Sequence, residues 1–184
     1  MGVDIAVTFL KEHVKVGRLL GELCAAVTRV SPGFDTYAFV KSVEGVQGFC
    51  LYLSDENFDL NRLNAMLAHS LGELCTIWKS EHGGCSGKAV YRPGEPAEHD
   101  GTMNDQGGDG FDDYMDYPCV AFERTFGLSL DLTDEDELFF PDSFLDHAGC
   151  YRISAAGPEK LSQKEKSKVW DHETEAEEVL PRPE

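Results

Sequence analysis

The densest concentration of chemically useful side chains in this chain is an Asp- and Gly-rich run over residues 105–116, DQGGDGFDDYMD. With Asp105 as position 1, Asp109 falls at 5, Gly110 at 6, Phe111 at 7, Asp113 at 9 and Asp116 at 12. An EF-hand loop gathers carboxylates and one backbone carbonyl around calcium at these offsets, with glycine at its sharp turn. Hard oxygen ligands on a glycine-bearing loop suit Ca2+, whose charge offsets the mutual repulsion of the carboxylates. The match is incomplete. Gly107 brings no side chain to position 3, Asp112 occupies position 8 where an apolar residue usually packs, and Asp116 is shorter than the glutamate usual at 12. No helical pattern flanks the loop. Two readings follow: a calcium site on Asp105, Asp109, Asp113 and Asp116, or a plain acidic loop. The second needs fewer coincidences.

Other constellations carry less. In GGCSGK, residues 83–88, three residues separate Gly83 from Gly87, and Ala89 follows Lys88. A phosphate loop needs four intervening residues and a Ser or Thr after its lysine, so a hairpin connection is the simpler reading. His82 and Cys85 have the spacing of one zinc-ligand pair, with His99 or Cys119 as remote partners, but structural zinc draws on two close pairs. As a nucleophile and its base, the same two residues lack a third, orienting group. Cys24, Cys50 and Cys75 fall at apolar periodic positions and read as core residues. His69 lies near the end of a helical pattern, where the helix dipole accounts for it. No catalytic residue is assigned.

Charge is the stronger signal. The formal net charge is −18, and residues 95–146 alone hold 16 acidic residues and a single base, Arg124. The other 132 residues hold 18 acids and 15 bases and are electrically ordinary. A segment this acidic repels phosphate backbones and attracts cations or Lys/Arg-rich surfaces over roughly a Debye length of 8 to 10 Å. Direct binding of nucleic acid through it is excluded on that ground. Solubility alone would also explain such a surface. Aromatic residues among the acids, Phe111, Tyr114, Tyr117 and Phe122, add the anchors that charge lacks.

The bulk numbers set the frame. At 184 residues and 41% apolar composition, the chain is long enough to bury one core without a metal or disulfide staple. Its first residues, MGVDIAVTFLKEH, lack the basic and apolar regions of a secretory signal, and Ala6 stands where a myristoylation motif needs Ser or Thr. The apolar runs are too short to span a membrane. Six cysteines without an export signal read as reduced thiols, and the cytoplasm is the expected location.

The elements that must position these residues follow from periodicity. Residues 3–9 alternate as a half-buried strand. Val16, Leu19, Leu20, Leu23, Cys24, Val27 and Val30 then recur at helical spacing over about His13 to Val30, with Gly17 and Gly21 on the helix as points of close approach to a sheet. Thr36–Val43 and Val46–Leu53 read as strands joined by Glu44-Gly45. Leu60, Leu63, Leu67 and Leu71 mark a second helix closed by Gly72, with cap candidates at residues 54–57. Leu74–Lys79 and Lys88–Arg92 are further strand candidates, residues 92–118 read as a long loop, and order resumes at Cys119.

The order β-α-β-β-α-β-β predicts an α/β (α+β) fold, a ferredoxin-like split βαβ two-layer sandwich with an added strand. An acidic, loop-rich appendage follows it. One acidic domain is expected over residues 1–156, its sheet and helices in 1–92 and the appendage in 93–156, with 157–184 as a polar C-terminal helix or tail. The expected function is protein binding, with Asp109, Phe111, Asp112, Asp113, Tyr114, Asp116 and Tyr117 meeting a basic partner. Toxin neutralisation and nucleic-acid mimicry are two biological forms of that physics. A calcium-binding module on the 105–116 loop and an enzyme with an unidentified site are the alternatives.

Overall fold

Strand β1 (Asp4–Leu10) is hydrogen-bonded along both edges, to β3 (Val46–Leu53) on one side and β4 (Leu74–Ser80) on the other, both antiparallel. The computed structural model describes residues 4–43, 45–53, 58–80, 85–104, 120–127 and 149–166. Around β1 these build one open sheet of eight strands in the order β6-β5-β4-β1-β3-β2-β7-β8. The remaining strands are β2 (Thr36–Val43), β5 (Cys85–Tyr91), β6 (Glu98–Asn104), β7 (Cys150–Ser154) and β8 (Gly157–Lys160), and every neighbouring pair is antiparallel. Three helices accompany the sheet: α1 (Val16–Val30) between β1 and β2, α2 (Leu60–Leu71) between β3 and β4, and α3 (Val120–Phe126). The fold is mixed α/β with a large antiparallel sheet and few helices, and the sheet has eight strands where sequence periodicity predicts five.

Alternation divides the sheet into two buried faces. Ala6 and Leu10 of β1, Phe49 and Leu51 of β3, and Leu74 of β4 pack against Leu19, Leu23 and Val27 of α1 and Leu63 and Leu67 of α2. Val7 and Phe9 point the other way, where α3 packs Phe122 and Phe126 edge-on against Phe9, with ring centroids at 5.1 and 6.5 Å. A helix therefore covers each face, in place of the expected two layers. Of the predicted α1 stripe, Leu19, Leu20, Leu23, Cys24 and Val27 are buried, whereas Val16 is 39% exposed.

Local chemistry fixes the helix boundaries. Asp59 caps α2, its carboxylate accepting from the Arg62 amide at 2.9 Å, and Gly72 ends the helix with φ of 95°. The cap candidates at residues 54–57 lie outside the described residues. The lead into α1 is held by Gln47, whose amide accepts from the Val14 N–H at 2.8 Å and donates to the Val14 carbonyl at 2.9 Å. Residues 98–104, part of the predicted long loop, form β6 on β5, and residues 157–160, part of the predicted tail, form β8 on β7.

The glycines separate into two kinds. A Cβ at Gly17 or Gly21 meets nothing within 4 Å, so neither brings α1 close to the sheet as sequence suggests. A Cβ at Gly87 would lie inside the indole of Trp78, its cross-strand partner. Gly21→Ala is expected to stabilise the protein by about 1 kcal/mol through helix propensity. Gly87→Ala is expected to destabilise it by about 1 to 3 kcal/mol through overpacking. Urea unfolding of the two variants checks both signs, and a loss of stability in Gly21→Ala contradicts the open placement of that residue.

Candidate functional site

The two sheet-covering helices lie side by side, and their outer surfaces enclose a groove of about 460 Å3. Arg18 of α1 donates to the Ser70 carbonyl at 2.8 Å, tying the start of α1 to the end of α2, so the helices run antiparallel. Ala25 and Ala26 of α1 face Ala65 and Met66 of α2 across the groove, and the three small methyls leave its floor open. Its rim is polar. Arg29 stands in the last turn of α1, Arg62 in the first turn of α2, and Arg92 just after β5, with Glu22, His69 and Glu95 completing the border.

Arg92 is held in place by a chain of ion pairs at the end of the sheet. Glu73 accepts from Lys11 at 2.8 Å and from Arg92 Nε at 3.0 Å, Arg92 Nη1 reaches Glu98 at 2.9 Å, and Arg124 of α3 closes on the other Glu98 oxygen. Burial works to raise the Glu73 carboxyl, but the Lys11 ammonium and the Arg92 guanidinium outweigh it, so its pKa lies below the ordinary value. Hydrogen bonds from Arg92 and then Arg124 lower Glu98 in the same direction. Arg29 and Arg62 have no carboxylate within ion-pairing distance among the described residues. The groove is thus bordered by one ion-paired guanidinium and by two that make no ion pair among the described residues.

No family model, no curated protein and no solved structure matches this chain. The reading of the site therefore rests on its own geometry.

Beneath α2 lies a small polar cluster. The Tyr91 hydroxyl donates to Asn61 Oδ1 at 2.5 Å, and burial pushes the Tyr91 phenol up to about 12, with the Asn64 amide acting in the opposite direction. Asn64 is fully buried, and neither amide atom finds a hydrogen-bond partner within bonding geometry among the described residues. A buried amide left so costs on the order of 1 to 3 kcal/mol.

The residues singled out from sequence are distributed differently. Asp105, Asp109, Phe111, Asp112, Asp113, Tyr114, Asp116 and Tyr117 lie outside the described residues, as do His82 and Cys119. Among the described residues, no group of three or more His, Cys, Asp or Glu is placed to hold a metal ion. Lys88 sits within β5, paired with Ile77 and 1% exposed, rather than at the rim of a loop. Phe122 is buried against Phe9 and belongs to the core instead of a contact surface. Cys24, Cys50, Cys75 and Cys150 are buried thiols outside any disulfide, and burial pushes the Cys24 and Cys150 thiols up. His69 borders the groove. No described helix is long and apolar enough to cross a membrane.

Sequence reading did not find the groove. Glu22 and Arg29, and likewise Arg62 and His69, are seven residues apart, a spacing that puts each pair on one helix face. That signal is common on solvated helices and carries no indication that the two faces meet.

The depressed Glu73 carboxyl sets a sign for the pH dependence. Its contribution to stability is present above the unfolded-state value of about 4.3 and disappears as pH falls through the lower folded-state value. Glu73→Gln is expected to cost about 1 kcal/mol at pH 7 and less at pH 2, on the acid side where wild type loses this contribution. Urea unfolding of both proteins at the two pH values measures this, and an equal deficit at both contradicts it.

Proposed function

We propose that this chain is a protein-binding module in which an acidic segment engages a basic partner surface. The core reading that goes with it is a ferredoxin-like split βαβ unit. The β4-β1-β3-β2 order, with α1 and α2 in the two crossovers, supports that reading. The strands β5 and β6 extend the unit at one edge, and β7 and β8 at the other.

The observation that carries the functional reading is the confinement of charge, 16 acids against one base over residues 95–146 in a chain that is otherwise near balance. A partner lined with Lys and Arg gains long-range attraction from this segment and short-range contact from its aromatics. Phe111, Tyr114 and Tyr117 are the proposed anchors, and Asp109, Asp112, Asp113 and Asp116 the proposed charges. Neutralisation of a nucleic-acid-directed toxin, or mimicry of nucleic acid toward its binding protein, are the biological roles that fit. A reducing compartment such as the cytoplasm suits the module, a placement supported by the buried, reduced thiols of Cys24, Cys50, Cys75 and Cys150.

Retention on an immobilised Lys/Arg-rich protein, in the absence of divalent cations, tests the proposal. Retention is expected to weaken steadily between about 50 and 300 mM salt as the Debye length contracts. The combined variant Asp112→Asn, Asp113→Asn, Asp116→Asn is expected to elute at lower salt, and Phe111→Ala with Tyr114→Ala to lose a salt-insensitive part of the binding. Equal retention of wild type and the Asn variant removes this segment as the binding face.

A further inference from the structure

We infer that the sheet face opposite α1 and α2 is a docking surface for this chain's own residues 128–148. One row of paired residues crosses six strands on that face: Lys88, Ile77, Val7, Cys50, Phe39 and Cys150. Each is at most 1% exposed. Helix α3 lies over β4, β5 and β6 and reaches Phe9 of β1. Helices α1 and α2 occupy the other face. The burial of Cys50, Phe39 and Cys150, on β3, β2 and β7, therefore needs a cover that these three helices do not supply.

Two observations point to residues 128–148 as that cover. The first is the path the chain has to take. Gly127 follows α3, over β4, β5 and β6, while Gly149, whose carbonyl accepts from the Val40 amide at 2.9 Å, leads into β7. In the sheet, β1, β3 and β2 lie between β4 and β7. The 21 residues that join Gly127 to Gly149 must therefore pass about 20 Å of sheet at the usual strand spacing. Fully extended they reach about 70 Å, so they have length to spare for covering what they cross. They set out from α3 on the second face, and α1 and α2 already fill the first. The second observation is composition. Residues 128–148 hold eight Leu and Phe, among them Leu138, Phe139, Phe140 and Phe144, which suit an apolar floor. They also hold seven Asp and Glu and no Lys or Arg, and the row begins at Lys88, a buried ammonium whose complementary charge is a carboxylate. Residues 167–184, the rival cover within the chain, offer only Val169, Trp170, Val179 and Leu180 as large apolar side chains.

This dock is separate from partner binding, which is proposed for residues 109–117. Protection of the buried thiols reads the first and retention on a basic protein reads the second, so either can fail alone.

Modification of the full chain by iodoacetamide, resolved cysteine by cysteine through peptide mass spectrometry, tests the inference. The double variant Leu138→Asp, Phe140→Asp is expected to speed modification of Cys50 and Cys150 about tenfold or more, while Cys24, on the opposite face, keeps its wild-type rate. Trp170→Asp is expected to leave all three rates unchanged. Nuclear Overhauser contacts in wild type between the Phe39 ring and leucine methyls of residues 128–148 are also expected, and they need no variant to fold. Absence of those contacts overturns the inference. So does unchanged reactivity of Cys50 and Cys150 in the double variant, or their acceleration by Trp170→Asp, which assigns the cover to the C-terminal residues. Protection that weakens on dilution also overturns it, because the cover is then a second copy of the chain.

Discussion

The two-sided confinement of β1 is the constraint on which the rest of this structure depends. Both of its edges are hydrogen-bonded, Ala6 and Leu10 are sealed under α1 and α2, and Val7 and Phe9 are sealed on the opposite face. A strand with no free edge and no exposed face must be apolar on both sides. The one polar side chain buried in its middle, Thr8, is satisfied by the Thr76 hydroxyl at 2.9 Å. Once β1 is placed, the crossover helices have only one face to occupy. Their antiparallel packing there creates the groove, and the ion-pair chain from Lys11 to Arg124 joins the end of β1 to β5, β6 and α3.

This constraint also explains which parts of the fold were legible in the sequence. β1, β3 and the two helices carry dense apolar periodicity because each buries at least one full face, and their residues could be read almost to the boundary. The Glu44-Gly45 hairpin was readable because Gly45, at φ of 82°, supplies the backbone conformation a two-residue turn needs. β6 was not readable. Its sequence, EHDGTMN, has no alternation, and its place on the sheet comes from backbone pairing with β5. The same holds for β8, GPEK, an edge strand whose turn is marked by Gly157 at φ of 106° and whose side chains are largely in solvent. Edge strands need not bury both faces, so composition does not announce them.

The candidate site illustrates a different gap. Arg29, Arg62 and Arg92 are spread over more than sixty positions, and only the antiparallel contact of α1 and α2 brings them to one cleft. Sequence showed each as an unremarkable surface base. What it did show, the negative charge of residues 95–146, concerns a segment of which only parts are described, β6 and α3 among them. The acidic segment was legible from composition alone, whereas the groove between α1 and α2 follows only from their packing.

Native-state hydrogen exchange of the backbone amides tests the confinement of β1 most directly. The amides of Val7, Thr8 and Phe9 are expected to exchange only through global unfolding and to be among the slowest in the protein, while those of β8 exchange through local opening at much smaller free energies. Exchange in β1 as fast as in β8 would contradict a doubly paired, doubly buried central strand.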